Sequence, residues 1–193
     1  MGEAMADEGH VVDGRKLRGQ RRRAEIIDAT LAVVRRDGAA GVTHRTVAKE
    51  AGIPASLTLY YFATLDDLLV AALTSITDAY TEHIRRIIDS EEDKLRGLAQ
   101  LIAESDGPGR ERALAERELS TLAARRPALR PAAWRWREHV AELARTQTDD
   151  PDAVEALIAL ADGLCAAILL GERQADEDHI RTLLGNVLRS ASP

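Results

Sequence analysis

An all-α fold is predicted by three features of the 193-residue chain. The two-residue alternation of half-buried strands is nearly absent, and aromatic side chains make up only 3% of the composition. Apolar residues instead recur at three- and four-residue spacings along stretches rich in Ala, Leu and Arg. At 45% hydrophobic residues, the chain can bury one respectable core plus a small satellite domain.

In chain order, residues 1–18 read as a polar, disordered tail. The run RKLRGQRRR within it has two open readings, a solvated tail and an arm for a DNA minor groove. A first helix is expected over 20–37, with Ile27, Leu31 and Val34 at i, i+4, i+7 and Gly38 closing it. Residues 43–62, THRTVAKEAGIPASLTLYYF, carry the most information. Thr43 suits an N-cap, Val47, Ala48 and Ala51 make a small apolar stripe, and Gly52 stands where a left-handed residue ends a helix. Pro54 then opens the next helix, where its missing N–H costs nothing. Two short helices bent around a glycine make a helix-turn-helix. The exposed side of the second is expected to carry Ala55, Ser56, Thr58, Tyr60 and Tyr61, groups that suit base edges in a major groove.

Thr64 with Asp67 three residues on is a capping-box pattern, so a fourth helix is expected from there towards Asp89, with Leu68, Ala72, Ile76, Tyr80, Ile84 and Ile87 or Ile88 on one side. Turn signals then separate a fifth helix in EEDKLRGLAQLIAES, a sixth over about 111–124 and a seventh over about 131–145. Two more helices begin at the acidic runs DDPD and ADED, as the helix dipole favours. The expected division is a tail (1–18), a helix-turn-helix domain (19–63) and a helical body (64–193).

Taken residue by residue, 23–73 resembles the DNA-binding domain of the TetR family of transcriptional regulators, over about a quarter of the chain. The family's aromatic pair, Phe and capped fourth helix stand here as YYF, Ala63, Thr64-Leu65-Asp66-Asp67 and LLVAAL. The resemblance implies a DNA-contacting set of Thr43, His44, Arg45, Thr46, Pro54, Ala55, Ser56, Leu57, Thr58, Tyr60 and Tyr61, with Arg45 beside a phosphate. Leu65 stands where many members have a phosphate-touching lysine, and Leu59 where a tyrosine is usual. The resemblance further implies a homodimer on a palindromic double-stranded operator, most simply a repressor released by a small-molecule effector. A helical sensor or interaction protein that binds no specific DNA is the alternative, and activation is a third outcome.

Charge is segregated in agreement with this. Residues 10–62 hold ten Lys or Arg against five acids, whereas residues 63–193 hold sixteen against twenty-four. A basic module on an acidic body is attractive to phosphates although the whole chain carries −6.

Other function classes lack support. The five histidines are scattered without metal-ligand spacing, GPGRER lacks the rest of a phosphate loop, and the acidic runs fit helix N-termini. No cofactor, metal site or catalytic constellation is expected. Cys165 reads as an inert buried thiol. The N-terminus does not resemble a signal peptide, and the apolar segment 156–170 is interrupted by Asp162 and falls short of the roughly 20 residues a membrane span needs. A cytoplasmic protein is expected.

In the helical body the resemblance implies an effector pocket, for which Tyr80, His83, Glu118 and Trp134 are the candidate residues. On the seventh helix Trp136 shares a stripe with Val140 and Leu143 and is expected to pack, leaving Trp134 freer. The last two helices carry broad apolar faces. By pattern alone they are core of one monomer. The family pairs them with their copies, which places a dimer interface on Leu157, Ala161, Leu164, Ile168, Leu169, Ile180, Leu184, Val187 and Leu188. Gly163, costing about 1 kcal/mol against alanine inside a helix, suggests close approach of another helix there.

Overall fold

The computed structural model describes residues 6–90 and 92–190. Among them are nine α-helices, three short 3-10 turns and no strand: α1 (Ala6–Asp37), α2 (His44–Glu50), α3 (Ala55–Tyr61), α4 (Leu65–Asp89), α5 (Lys94–Ala103), α6 (Arg110–Leu122), α7 (Arg130–Arg145), α8 (Pro151–Leu169) and α9 (Glu177–Ser190). The chain divides into two compact units between Ala72 and Leu73. That point lies inside α4, whose first two turns cluster with the helix-turn-helix rather than starting the second unit at residue 64.

One expectation is corrected at the N-terminus. Residues 6–18 are the beginning of α1, not a disordered tail, and residues 1–5 lie outside the described residues. Ala, Leu, Arg and Lys are low-cost helix formers, so a polar composition is as compatible with a solvated helix as with a tail.

Local signals set the ends of the helix-turn-helix. Thr43 Oγ1 accepts from the Thr46 amide at 3.0 Å and Thr46 Oγ1 accepts from the Thr43 amide at 2.8 Å, a reciprocal cap on α2. Gly52 has φ +64°, and the bonds Ile53 N–H to Ala48 O (3.0 Å) and Gly52 N–H to Lys49 O (3.3 Å) close the helix in a Schellman motif. Pro54, at φ −62° and ψ 141°, caps α3. Thr64 and Asp67 form the expected capping box, with Asp67 N–H to Thr64 Oγ1 at 3.1 Å and Thr64 N–H to Asp67 Oδ2 at 2.8 Å. These bonds hold the Asp67 carboxyl below its ordinary range.

The core of the first unit is Ile26, Val33, Val34, Val42, Val47, Phe62, Leu68 and Leu69, all nearly inaccessible. The Arg23 guanidinium lies over the Phe62 ring at 4.9 Å. Arg36 of α1 pairs with Glu50 of α2, an exposed, solvent-screened bond that adds little to stability. Packing of those apolar side chains therefore holds the unit together.

In the second unit the expected face of α4 is buried at Ile76, Tyr80, Ile84 and Ile87. Asp93 caps α5 by accepting from the Leu95 and Arg96 amides, and Asp150 caps α8 through the Asp152 amide. α9 lies against α5 and α8, fastened at its rim by Arg96 to Glu177 and Asp178 and by Arg181 to Asp93.

This arrangement moves most of the expected dimer residues into the monomer. Leu157, Ala161, Ile180 and Leu184 are 0% exposed, and Leu164, Ile168 and Leu169 are also buried, so they are core of one chain with no area left for a second copy. Val187 and Leu188 remain half-buried. The surface of α8 is instead Ala156, Ala159, Leu160, Gly163, Ala167 and Leu170, with Leu170 74% exposed. Residues at those spacings share one helix face. None of the described residues lies within 4 Å of where a Gly163 side chain would begin, so the close approach expected there is not made among them.

Candidate nucleic-acid interface and ligand cavity

α3 is only two turns long, and its faces sort cleanly by exposure. Ser56, Leu59 and Tyr60, at i, i+3, i+4, are exposed, Tyr60 to 79% and Leu59 to 50%. Thr58 is 0% exposed: its hydroxyl donates to Ala55 O at 2.8 Å and lies 3.3 Å from His44 O. The expectation that Thr58 faces the bases is therefore corrected, since its one proton is held by backbone inside the unit. Ala55, Leu57 and Tyr61 are partly covered, and Tyr61 stands edge-on to Tyr60 at 5.1 Å between ring centres. Pro54 is exposed at the entrance.

Thr43, the N-cap of α2, and Arg45, in its first turn, are exposed. Thr46 is a second correction. Its hydroxyl accepts from the Thr43 amide and donates to Gly41 O at 2.8 Å, so it holds the turn rather than reaching outward. His44 is half-buried, and its Nδ1 has no hydrogen-bond partner. Leu59, which in the sequence stands out only as a departure from tyrosine, shares the exposed stripe with Ser56 and Tyr60. Its place three residues after Ser56 was the available signal.

In the second unit an open cavity of about 300 Å³ is lined by Glu116, Arg117 and Ser120 of α6, Trp134, Trp136 and Arg137 of α7, and Asp162 of α8. A smaller one of about 20 Å³, room for a single water, adjoins Tyr80, Ser105, Glu116, Trp136 and Cys165. Asp162 is held on both oxygens, by Trp136 Nε1 at 2.7 Å and Arg137 Nη1 at 2.8 Å, and Arg137 also reaches Glu155 at 2.8 Å. Burial pushes the Glu116 carboxyl above its ordinary range, and Glu116 accepts from the Ser120 hydroxyl. Tyr80 stands 5.4 Å from Trp136 between ring centres, and the Arg112 guanidinium lies over the Tyr80 ring at 5.1 Å.

The expected pocket residues fare unevenly. Trp134, 56% exposed, lines the larger cavity and Tyr80 the smaller; His83 and Glu118 line neither. His83 lies half-buried with its basicity lowered by desolvation. Trp136 packs as expected but also lines both cavities. Glu116 and Asp162 were missed; Asp162, the one acid interrupting the apolar run of α8, was the legible signal for the second.

Residues 89–190 match the family model described as Tetracyclin repressor-like, C-terminal domain, which is more than half of the chain. The chain belongs to the TetR family. Crystal structures of the multidrug binding protein EbrR, one in complex with ethidium, share 42% identity with this TetR family regulator over 86% of it and 97% of that chain, at TM-score 0.75. A TetR family member from Streptomyces coelicolor A3 matches at the same 42% identity, coverage and TM-score. The nicotine-responsive transcriptional repressor HdnoR of Paenarthrobacter nicotinovorans is 33% identical over 81 residues, 42% of this chain and 41% of its own length. The regulator PksA of Bacillus subtilis is 35% identical over 68 residues, a third of its length. The matched stretches thus span about two fifths or less of these curated relatives.

Proposed function

We propose that this TetR family regulator is a homodimeric repressor that binds a palindromic operator through α2 and α3 and releases it when a small molecule occupies the second unit. The observation that carries the DNA reading is the exposed stripe Ser56, Leu59 and Tyr60 on a capped α3 with Arg45 beside it. Arg45 supplies sequence-independent phosphate attraction, while hydroxyl and apolar groups on α3 discriminate base edges. One helix-turn-helix covers too little DNA for tight selective binding, whereas a two-fold dimer reads half-sites about one helical turn, roughly 34–36 Å, or a multiple of it apart. The dimer interface belongs on the uncovered Ala/Gly face of α8 with the partly exposed Leu183 and Val187 of α9. Binding to the gene's own DNA places the protein in the cytoplasm.

The effector reading rests on the Trp-lined cavity and on EbrR, whose complexes include ethidium, proflavin and malachite green. Those dyes are aromatic cations, for which the exposed indole of Trp134 offers a stacking face; the charged lining is mixed, with Arg117, Arg130 and Arg137 beside Glu116 and Asp162. A gel-shift with the protein's own upstream intergenic DNA, repeated with added ethidium or proflavin, tests both halves. Retarded DNA that the dye releases, together with quenched Trp134 fluorescence, is expected. No retardation favours the non-DNA-binding sensor, for which Leu65 in place of the usual lysine is the sequence argument.

A further inference from the structure

The stretch of α1 from Gly14 to Ala24 does nothing for the core. From Gly14 on, Ile26 is the first buried apolar side chain, and between Gly14 and Ala24 the only larger apolar residue, Leu17, is 58% exposed. The same eleven residues, GRKLRGQRRRA, hold six cations and no acid. At 1.5 Å per residue they extend the helix about 16 Å beyond what packing requires. Gly14 and Gly19 each weaken it against alanine, so neither burial nor propensity accounts for the extension.

Its charges are organised. Arg15, Arg18 and Arg22, at i, i+3, i+7, share one side of α1 and, with Arg21 and Glu25, line an open groove of about 660 Å³ that Leu57, Tyr60 and Tyr61 of α3 also line; Arg22 is paired with Glu25 at 2.6 Å, a partner that a phosphate would displace. The cationic stripe therefore borders the C-terminal end of the recognition helix. The α3 side of the groove carries the Tyr60–Tyr61 pair, with Tyr60 strongly exposed.

We propose that this stripe is a second DNA-contacting element that binds backbone phosphates flanking the half-site read by α3. The proposal rests on the DNA-binding reading above. Its partner is fixed by charge, since a duplex presents a phosphate about every 1.7 Å of axis and arginine forks match phosphate oxygens. Its groove is fixed by size. A helix with side chains is about 10–12 Å across and cannot enter a minor groove about 6 Å wide, so the element lies along the sugar-phosphate rim and is no minor-groove arm. It adds affinity and salt dependence without adding base preference.

The test is Arg15→Ala/Arg18→Ala/Arg22→Ala in the full chain, measured by fluorescence anisotropy on the upstream intergenic duplex and on a mixed-sequence duplex across a salt series. Alanine is the best helix former and these side chains bury no apolar core, so the variant keeps the helix while losing the charge. A fall in the slope of log K against log salt of about 0.9 per contact, or about 2.7 per protomer and about 5.4 for the two-protomer complex, is expected, with a tenfold or greater loss on both duplexes. The corresponding triple lysine variant is expected to recover most of the slope. Wild-type slope and affinity in the alanine variant overturn the proposal. So does an unchanged DNA isotherm accompanied by lost retention on phosphatidylglycerol vesicles, which would make the stripe a membrane contact. If the wild-type protein itself binds neither duplex, the DNA reading fails, and the proposal with it.

Discussion

Thr58 of the recognition helix is tied to His44, the first residue of α2, by its hydroxyl 3.3 Å from the His44 carbonyl oxygen. The bond is shared with Ala55 O, and the side chain is wholly buried. A residue that looks like a base reader is thus part of the joint between the two helices. Thr58→Val keeps the shape and removes the hydroxyl, so a loss of about 1 kcal/mol in stability with unchanged base preference is expected. Ser56→Ala, on the exposed side, is expected to do the reverse, shifting half-site preference by about 1–3 kcal/mol at unchanged melting temperature. Thermal melts and binding to a panel of point-substituted duplexes separate the two.

Arg45 lies exposed in the first turn of α2. Arg45→Ala is expected to weaken binding to specific and random duplexes alike and to lower the salt slope by about 0.9 per protomer. A loss confined to one base pair, with the slope intact, would assign Arg45 to base reading instead.

Dimerisation and folding are separable on the last two helices. Gly163→Glu has open space around the new side chain and gains helix propensity, so the monomer is expected to stay folded while the second copy is lost. Leu184→Glu places a charge at a fully buried position and is expected to unfold the unit. Sedimentation velocity with circular dichroism checks both; a dimeric Gly163→Glu protein moves the interface elsewhere.

Burial raises the Glu116 carboxyl above its ordinary 4.5. Its contribution to stability is complete below that value and is lost as pH rises through the raised pKa. Glu116→Gln stays neutral and still accepts the Ser120 hydroxyl. The melting temperature of the variant is expected to exceed wild type increasingly as pH rises above 4.5, and to converge with it below. A pH-independent difference contradicts the assignment.

What was legible in the sequence was mostly local. Thr43, Gly52, Pro54 and the Thr64/Asp67 pair signal helix ends through bonds within a few residues, and the structure has each in place. Faces were harder. α3 spans seven residues, too short for periodicity to separate Thr58 from Ser56. α8 is apolar nearly all round, so its pattern could not tell the large residues buried inside one chain from the small ones left outside. The cavity draws Glu116, Trp136 and Asp162 from three helices, a juxtaposition set by packing that no single stretch of sequence announces.

The most direct test of operator recognition by a dimer is a stoichiometric titration of the wild-type protein into a labelled duplex from its own upstream intergenic region, at about 0.15 M salt with excess mixed-sequence competitor. Saturation at two protomers per site, with a dissociation constant on the order of 10⁻⁸ M or tighter, is the expected result. Saturation at one protomer, or binding that the competitor abolishes, would contradict it.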